Sequence, residues 1–186
     1  MAKMSDTARL LEAASFAAEK HRDQRRKDAR ATPYINHPIE VARILAEANV
    51  GDVEVLMAAI LHDTIEDTET TAEELTKTFG ERVCGLVLEV TDDKGLDKLE
   101  RKRLQVVNAA TKSDCAKLIK IADKIANLRD LKASPPDWCE QRVGAYVQFA
   151  EMVAGGCRGT NVLLDAWAMK EASSSFDVLS REGRNK

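Results

Sequence analysis

The chain is expected to fold as an all-α protein, and three observations carry that expectation. Apolar residues recur at three- and four-residue spacing along most of its 186 positions. Serine, threonine, asparagine or aspartate stands ahead of several of these stretches, where it can cap a helix. No segment alternates apolar and polar residues over the length of a strand.

Leu10, Leu11, Ala14, Ala17 and Ala18 trace a first amphipathic helix. The segment DARATPYIN (28–36) is a loop, because Pro33 and its polar neighbours break helical bonding. Asn36 stands where it would cap a second helix, with Pro38 near the first turn and Ile39, Val41, Ile44 and Leu45 facing inward. Asp52 stands ahead of a third, which carries Val53, Leu56, Met57, Ile60 and Leu61. Thr71-Ala72-Glu73-Glu74 has the form of a capping box, and Gly80 is placed to stop that helix. Further helices are expected over 81–90, 98–108 and 114–131. Pro135-Pro136 is a break, and two more helices fill 137–153 and 160–179, separated by Gly155, Gly156 and Gly159. The expectation is a single domain over 1–186, built from about eight helices, with a frayed tail from about residue 181.

Composition narrows the function classes. Hydrophobic residues make up 44% and charged residues 32%, which suits a packed core rather than disorder. No apolar run approaches the ~20 residues of a bilayer span, and the start MAKMSDTARL has no apolar signal region, so no membrane partner is expected. Cys84, Cys115, Cys139 and Cys157 are widely spaced and form no CxxC pair. That argues against a thiolate zinc site and fits reduced, mostly buried thiols in a cytoplasmic protein. The net charge of -3 gives no broad surface for nucleic acid, so an anionic ligand would need a local basic patch. Two runs offer one: 20–30 (KHRDQRRKDAR) and 98–103 (KLERKR), although such runs also serve as solvated faces. No Gly-rich phosphate cradle accompanies them.

The chemistry concentrates in AAILHDTIEDT (58–68). An apolar run long enough to be buried ends in His62, Asp63, Glu66 and Asp67. Burying such acids without partners costs several kcal/mol per ion, so a cation is expected beside them. If the helix continues by one turn, His62 shares a face with Glu66, and Asp63 with Asp67. Local sequence also allows a satisfied core histidine beside a solvated helix end. On the helix over 114–131, Asp123 lies nearly opposite the stripe of Leu118, Ile121, Ile125 and Leu128. It sits between an arc with Ile119 and Ala126 and an arc with Lys120, Lys124 and Asn127, as a ligand at the edge of a cleft would.

INHP (35–38), ILHDTIEDT (60–68) and IKIADKIANLRD (119–130), in that order, resemble the motifs of the HD-domain phosphohydrolases. The closest likeness is to the hydrolase domain of the RelA/SpoT family. RRKDARATPYINHP (25–38), VTDDKGLDKLERKRLQ (90–105) and GTN (159–161) resemble its small metazoan branch. The resemblance implies a single HD-domain helical bundle with His37, His62, Asp63 and Asp123 as metal ligands. Two imidazoles and two carboxylates without thiolate suit Mn²⁺, Fe²⁺ or Zn²⁺, and the family points to one Mn²⁺ per chain. A manganese ion with two anionic ligands should acidify water less than a zinc ion held by three neutral histidines, so a helping base is useful. Glu66 is assigned to orient and deprotonate the attacking water, with Asp67 in a shared or supporting role. Arg26 and Lys27 are implied as nucleotide contacts, and Lys98, Asn127, Arg142 and Tyr146 match positions near the substrate.

The implied activity is a 3′-pyrophosphohydrolase of guanosine tetra- and pentaphosphate (ppGpp and pppGpp), an enzyme of the stringent or starvation response that yields GDP or GTP and pyrophosphate. NADPH, losing its 2′-phosphate, is a second candidate substrate. Larger members carry synthetase and regulatory domains after this region, for which the chain is too short. The stretch between Lys27 and Pro33 is longer than in many bacterial relatives. Ala126 is smaller than the residue often found there and is expected to widen the pocket. The alternative is a non-catalytic helical module that binds a nucleotide and signals by interaction. A retained ligand set with an adjacent base argues against it.

Overall fold

The computed structural model describes the backbone of residues 4–28 and 30–182, with side chains to residue 175. Among these residues there are ten α-helices. They are α1 (Asp6–Lys20), α2 (Asn36–Glu47), α3 (Val53–Leu61), the single turn α4 (Thr64–Asp67), α5 (Ala72–Phe79), α6 (Glu81–Val90), α7 (Lys98–Asn108), α8 (Asp114–Ala133), α9 (Glu140–Gly156) and α10 (Val162–Glu182). A short 3₁₀ turn, Ala109–Thr111, joins α7 to the segment before α8. The described residues contain no strand, and their one extended pairing is the bridge between Arg25 and Pro33. The all-α expectation therefore holds, with the short α4 accounting for part of the higher count. α10 runs to Glu182, and the rest of the tail expected from about 181 lies outside the described residues.

Two helices form the centre. α3 (VEVLMAAIL) is apolar almost all round, so it can be covered on every side. It packs against α1, α2, α6 and α8. α8 packs against α2, α3, α6, α9 and α10. Ile119, Ile121, Ala122, Ile125 and Leu128 fill its apolar contacts. Because neighbours surround it, Lys120, Asp123 and Lys124 are buried as well. Arg129 of α8 ties the outer helices together, donating to Glu40 of α2 at 3.4 Å and Glu171 of α10 at 3.1 Å. Among the described residues, no helix is long and apolar enough to cross a membrane.

Helix starts follow the capping residues in part. Asp52, Thr71, Asp97 and Ser113 each accept from a backbone N–H of the first turn. Asn36 does not. It is the first residue of α2, Ile35 holds the cap position, and no side chain caps it. The PYIN turn supplies the acceptors instead, with Asn36 N–H on Pro33 O and His37 N–H on Tyr34 O. The capping box at Thr71 is half made, because the Glu74 carboxylate pairs with Lys20 of α1. Asn161 caps the last helix, accepting from Leu163 and Leu164. Helix α9 runs through Gly155 and Gly156, so Gly159, at φ +92°, makes the turn alone. Two apolar residues read as inward are exposed: Leu11 (65%) and Ile39 (46%). All four cysteines are free. Cys84 and Cys157 are buried, Cys115 is intermediate and Cys139 is exposed.

Two helical glycines separate conformational cost from packing. A Cβ on Gly156 would stand 2.7 Å from the Ala109 Cβ, whereas one on Gly85, on the exposed face of α6, meets nothing within 4 Å. Gly156→Ala is expected to destabilise by about 1–3 kcal/mol through overpacking. Gly85→Ala should stabilise by about 0.5–1 kcal/mol. Urea unfolding midpoints of the two variants should move in opposite directions.

Candidate metal centre and nucleotide cleft

The His-Asp doublet lies at a break between helices. α3 ends at Leu61, and Asp63 takes φ −98°, ψ −2° before α4 begins. The threonines explain the break. Thr64 Oγ1 donates to Leu61 O at 2.7 Å, and Thr68 Oγ1 donates to Thr64 O at 2.7 Å. Side-chain hydroxyls thus serve carbonyls at the helix end. The continuous helix that would align His62 with Glu66 does not form, whereas α4 closes one turn from Asp63, with Asp67 N–H on Asp63 O at 2.8 Å.

Three distant segments meet at this point. A ring nitrogen of His37, one of His62 and a carboxylate oxygen of Asp123 lie within 4.8 Å of one another, and all three residues are buried. Asp63 Oδ2 is 3.0 Å from His62 Nε2 and 3.9 Å from His37 Nε2. Asp123 Oδ1 is 3.2 Å from His37 Nε2. His62 Nδ1 lies 2.8 Å from Ala59 O, which can only accept, so Nδ1 carries hydrogen and Nε2 is turned to the acids. That orientation suits a metal-ligating imidazole. His37, His62 and Asp123 thus form a group that could hold a divalent cation, and Asp63 stands beside both imidazoles.

The surrounding groups keep the acids ionised. Burial alone would raise Asp63, but the His62 and His37 imidazoles reverse this and hold it below the usual carboxylate range. Asp123 is likewise raised by burial and pulled well down by Lys124 and the imidazoles. Lys124 donates to Asp123 Oδ2 at 2.8 Å and Asn127 to Oδ1 at 2.6 Å. The Tyr34 hydroxyl donates to Asp63 Oδ2 at 2.6 Å, and burial together with Asp63 raises its pKa, so it stays protonated. Burial pulls His62 down, but Asp63 and Asp123 outweigh it and push it up to about 9.

Glu66 and Asp67 border the same cavity of about 170 Å³ as the doublet. Glu66 Oε2 accepts the Asp92 N–H at 3.1 Å, and Oε1 lies 3.7 Å from Arg101. Burial, reinforced by Asp92, raises the Glu66 pKa despite that hydrogen bond. Asp67 accepts from Gln24 at 3.1 Å and from Lys94.

A second cavity, of about 670 Å³, opens beside the first; Arg26, Tyr34, His37, Asp67 and Asn127 line both. Arg26 spans the junction, donating to Asn127 at 2.9 Å and Asp130 at 2.7 Å, with its guanidinium 5.7 Å from the Tyr34 ring centre. Lys27, which is exposed, and Tyr146 also line the outer cavity. Lys98 and Arg142 line neither cavity. Lys98 is exposed at the start of α7, and Arg142 stacks 4.2 Å over Trp138, an outer-cavity residue. Both join a basic field nonetheless, since Lys98, Lys124 and Arg142 add to burial in lowering the Lys102 pKa. Ala126 is fully buried in the core and lines neither cavity, so it does not widen the pocket. Its helix face is taken up by packing.

Sequence reasoning missed Tyr34, Gln24, Lys94 and Lys124 as partners of the acids. Tyr34 stands three residues before His37 and Lys124 beside Asp123, so proximity pointed to both. Gln24 and Lys94 reach Asp67 across 43 and 27 residues, which no local pattern signals.

A model described as HD domain matches residues 13–149. The chain is 59% identical over 163 residues to the Xenopus tropicalis guanosine-3′,5′-bis(diphosphate) 3′-pyrophosphohydrolase MESH1, covering 87% of this chain and 91% of that protein. The Homo sapiens MESH1 gives the same identity and coverage. A solved structure of a metazoan ortholog of SpoT, which hydrolyzes ppGpp and plays a role in starvation responses, superimposes with a TM-score of 0.88 at 49% identity, covering 94% of this chain and 98% of that one. With the His-Asp doublet seated among His37 and Asp123 and the match running through all three segments, the chain belongs to the HD-domain family and groups there with the MESH1 pyrophosphohydrolases.

Proposed function

We propose that this protein is a metal-dependent hydrolase, one HD domain over residues 1–186, that removes the 3′-pyrophosphate of ppGpp and pppGpp. The observation that carries the reading is the meeting of two imidazoles and two carboxylates with Glu66 and Asp67 at one small cavity, in a chain 59% identical to such pyrophosphohydrolases. His37, His62, Asp63 and Asp123 would hold the cation, which we take to be Mn²⁺, given a nitrogen and oxygen donor set without thiolate. When bound, the ion supplies Lewis-acid polarisation of a phosphoryl oxygen and offsets the carboxylate charge.

The chain's own groups do the rest. Glu66, raised in pKa by burial, takes the proton of the attacking water, and Asp67 helps to orient that water. Tyr34 and Asn127 keep Asp63 and Asp123 aimed at the cluster. Arg26 and Lys27 hold the nucleotide at the junction and rim, and the Trp138 and Tyr146 rings offer apolar faces to a base. Lys98 and Arg142 add attraction for phosphate through the basic field. The bond from phosphorus to the ribose 3′-oxygen breaks, leaving GDP or GTP and pyrophosphate. NADPH, losing its 2′-phosphate, is a second proposed substrate; the outer cavity extends well beyond the acids and has room for a second nucleotide half. We read the protein as cytoplasmic, in keeping with four free thiols.

Three outcomes test this reading. With Mn²⁺ and ppGpp, product chromatography should show GDP and pyrophosphate. Asp63→Ala should lose both metal binding and turnover, while Glu66→Gln keeps the metal and loses about 10²–10⁴-fold in kcat. Full rate in Glu66→Gln would remove Glu66 as the base, and no product from ppGpp or NADPH in the metal-loaded protein would favour a binding module.

A base must be ionised to act, and Glu66 titrates above its ordinary 4.5. The acid limb of the kcat profile should therefore lie above the usual carboxylate range and vanish in Glu66→Gln.

His62, at about 9, is protonated at neutral pH without metal, and its Nε2 must shed that proton to bind. Calorimetry in buffers of different ionisation enthalpy should show about one proton released per Mn²⁺ at pH 7. In the metal-free protein, the stability from charged His62 is present below 6.5 and lost as pH rises through about 9.

A further inference from the structure

His21, one of three histidines in the chain, stands outside the metal cluster. It follows the last turn of α1, where its N–H bonds Ala17 O at 2.9 Å, and it is 2% exposed. Its Nδ1 lies 2.6 Å from Gln24 Oε1. Gln24 Nε2 in turn donates to Asp67 Oδ2 at 3.1 Å. The other face of the contact is Tyr34, whose ring centre is 4.9 Å from that of His21 and whose hydroxyl bonds Asp63. Gln24 and Tyr34 are also joined through the backbone, Tyr34 N–H to Gln24 O at 3.1 Å, beside the Arg25–Pro33 bridge.

The hydrogen positions follow from the far end of this chain. An ionised carboxylate only accepts, so Gln24 must turn its amide NH₂ toward Asp67. Its amide oxygen then faces His21 and must accept, which places hydrogen on His21 Nδ1. Burial lowers the pKa of the imidazole and favours its neutral form. His21 Nε2 is left with a lone pair, buried and without a partner among the described residues. A ring present only to fill space gains nothing from such a nitrogen, since an unmet buried polar atom destabilises the fold. Phenylalanine would fill the volume without that penalty. The Nδ1–H is what the histidine adds.

We propose that His21 is a positioning residue for the hydrolytic reaction: through Gln24 it fixes the direction of the Asp67 carboxylate, and through its contact with Tyr34 it steadies the hydroxyl that holds Asp63. This rests on the reading in which Asp67 assists Glu66. Lys94, the other partner of Asp67, reaches it from an exposed position. Gln24, locked at its far end by a buried ring, is the restraint that sets the carboxylate plane.

The test uses the full chain loaded with Mn²⁺ and ppGpp. His21→Phe keeps the ring and loses the donor, His21→Asn keeps a donor near the Nδ1 position, and Gln24→Leu cuts the relay at a half-buried site. His21→Phe and Gln24→Leu should lower kcat by about 10–100-fold while KM and Mn²⁺ affinity stay within about threefold. His21→Asn should recover most of the rate. The double variant Gln24→Leu/Asp67→Asn should be no slower than Asp67→Asn, because both changes act through one carboxylate. Parent kcat in Gln24→Leu with a slow Asp67→Asn overturns the proposal alone, as do additive losses in the double variant or equal rates for the two His21 variants. Full rate in Asp67→Asn overturns the Asp67 reading and the proposal with it.

Discussion

Two carboxylates, the half-buried Asp63 and the buried Asp123, stand beside the same two imidazoles, and the fold must answer their charge. An unpaired buried ion is among the costliest defects a fold can carry. The compensation is drawn from every side: a proton on His62, the Lys124 ammonium, the Asn127 amide and the Tyr34 hydroxyl. They arrive on three segments, with Lys124 and Asn127 both on α8, so the α3 break, the PYIN turn and the covering of α8 by its neighbours are parts of one electrostatic solution. A divalent cation fits that solution because it replaces a proton and completes the neutralisation.

Much of this arrangement was legible in the sequence. Helical spacing and capping residues placed most elements to within a few positions, because amphipathic faces and caps are local properties. The doublet, His37 and Asp123 were legible through motifs that agree with the observed meeting of three segments. The break after Leu61 was not, since it depends on hydroxyls of Thr64 and Thr68 choosing backbone carbonyls over solvent. A helical wheel set Asp123 at a cleft edge. It does line the inner cavity, while its burial, with that of Lys120 and Lys124, is a property of five neighbours rather than of α8 itself.

The misses share a physical origin. Asn36 has the side chain of a cap, but a preceding turn had already supplied the acceptors. Glu74 has the side chain for a reciprocal cap, but Lys20 from another helix claims it. Lys98 and Arg142 carry charge suited to phosphate, but Arg142 stacks on Trp138 and neither residue lines a cavity. In each case a tertiary partner decided among roles that local chemistry left open.

The seating of Asp63 just past the end of α3 and of Asp123 on α8, against the placing of Arg26, Lys27 and Trp138 on connecting loops, divides the molecule into a fixed and an adjustable part. Moving Asp123 would mean reopening the packed centre, so bond-breaking power is conserved by the same forces that keep the protein folded. The rim residues Lys27 and Trp138 answer to no such demand and tolerate exchange. A lineage could therefore retune which nucleotide it accepts, one rim residue at a time, without ever risking the machinery that cuts.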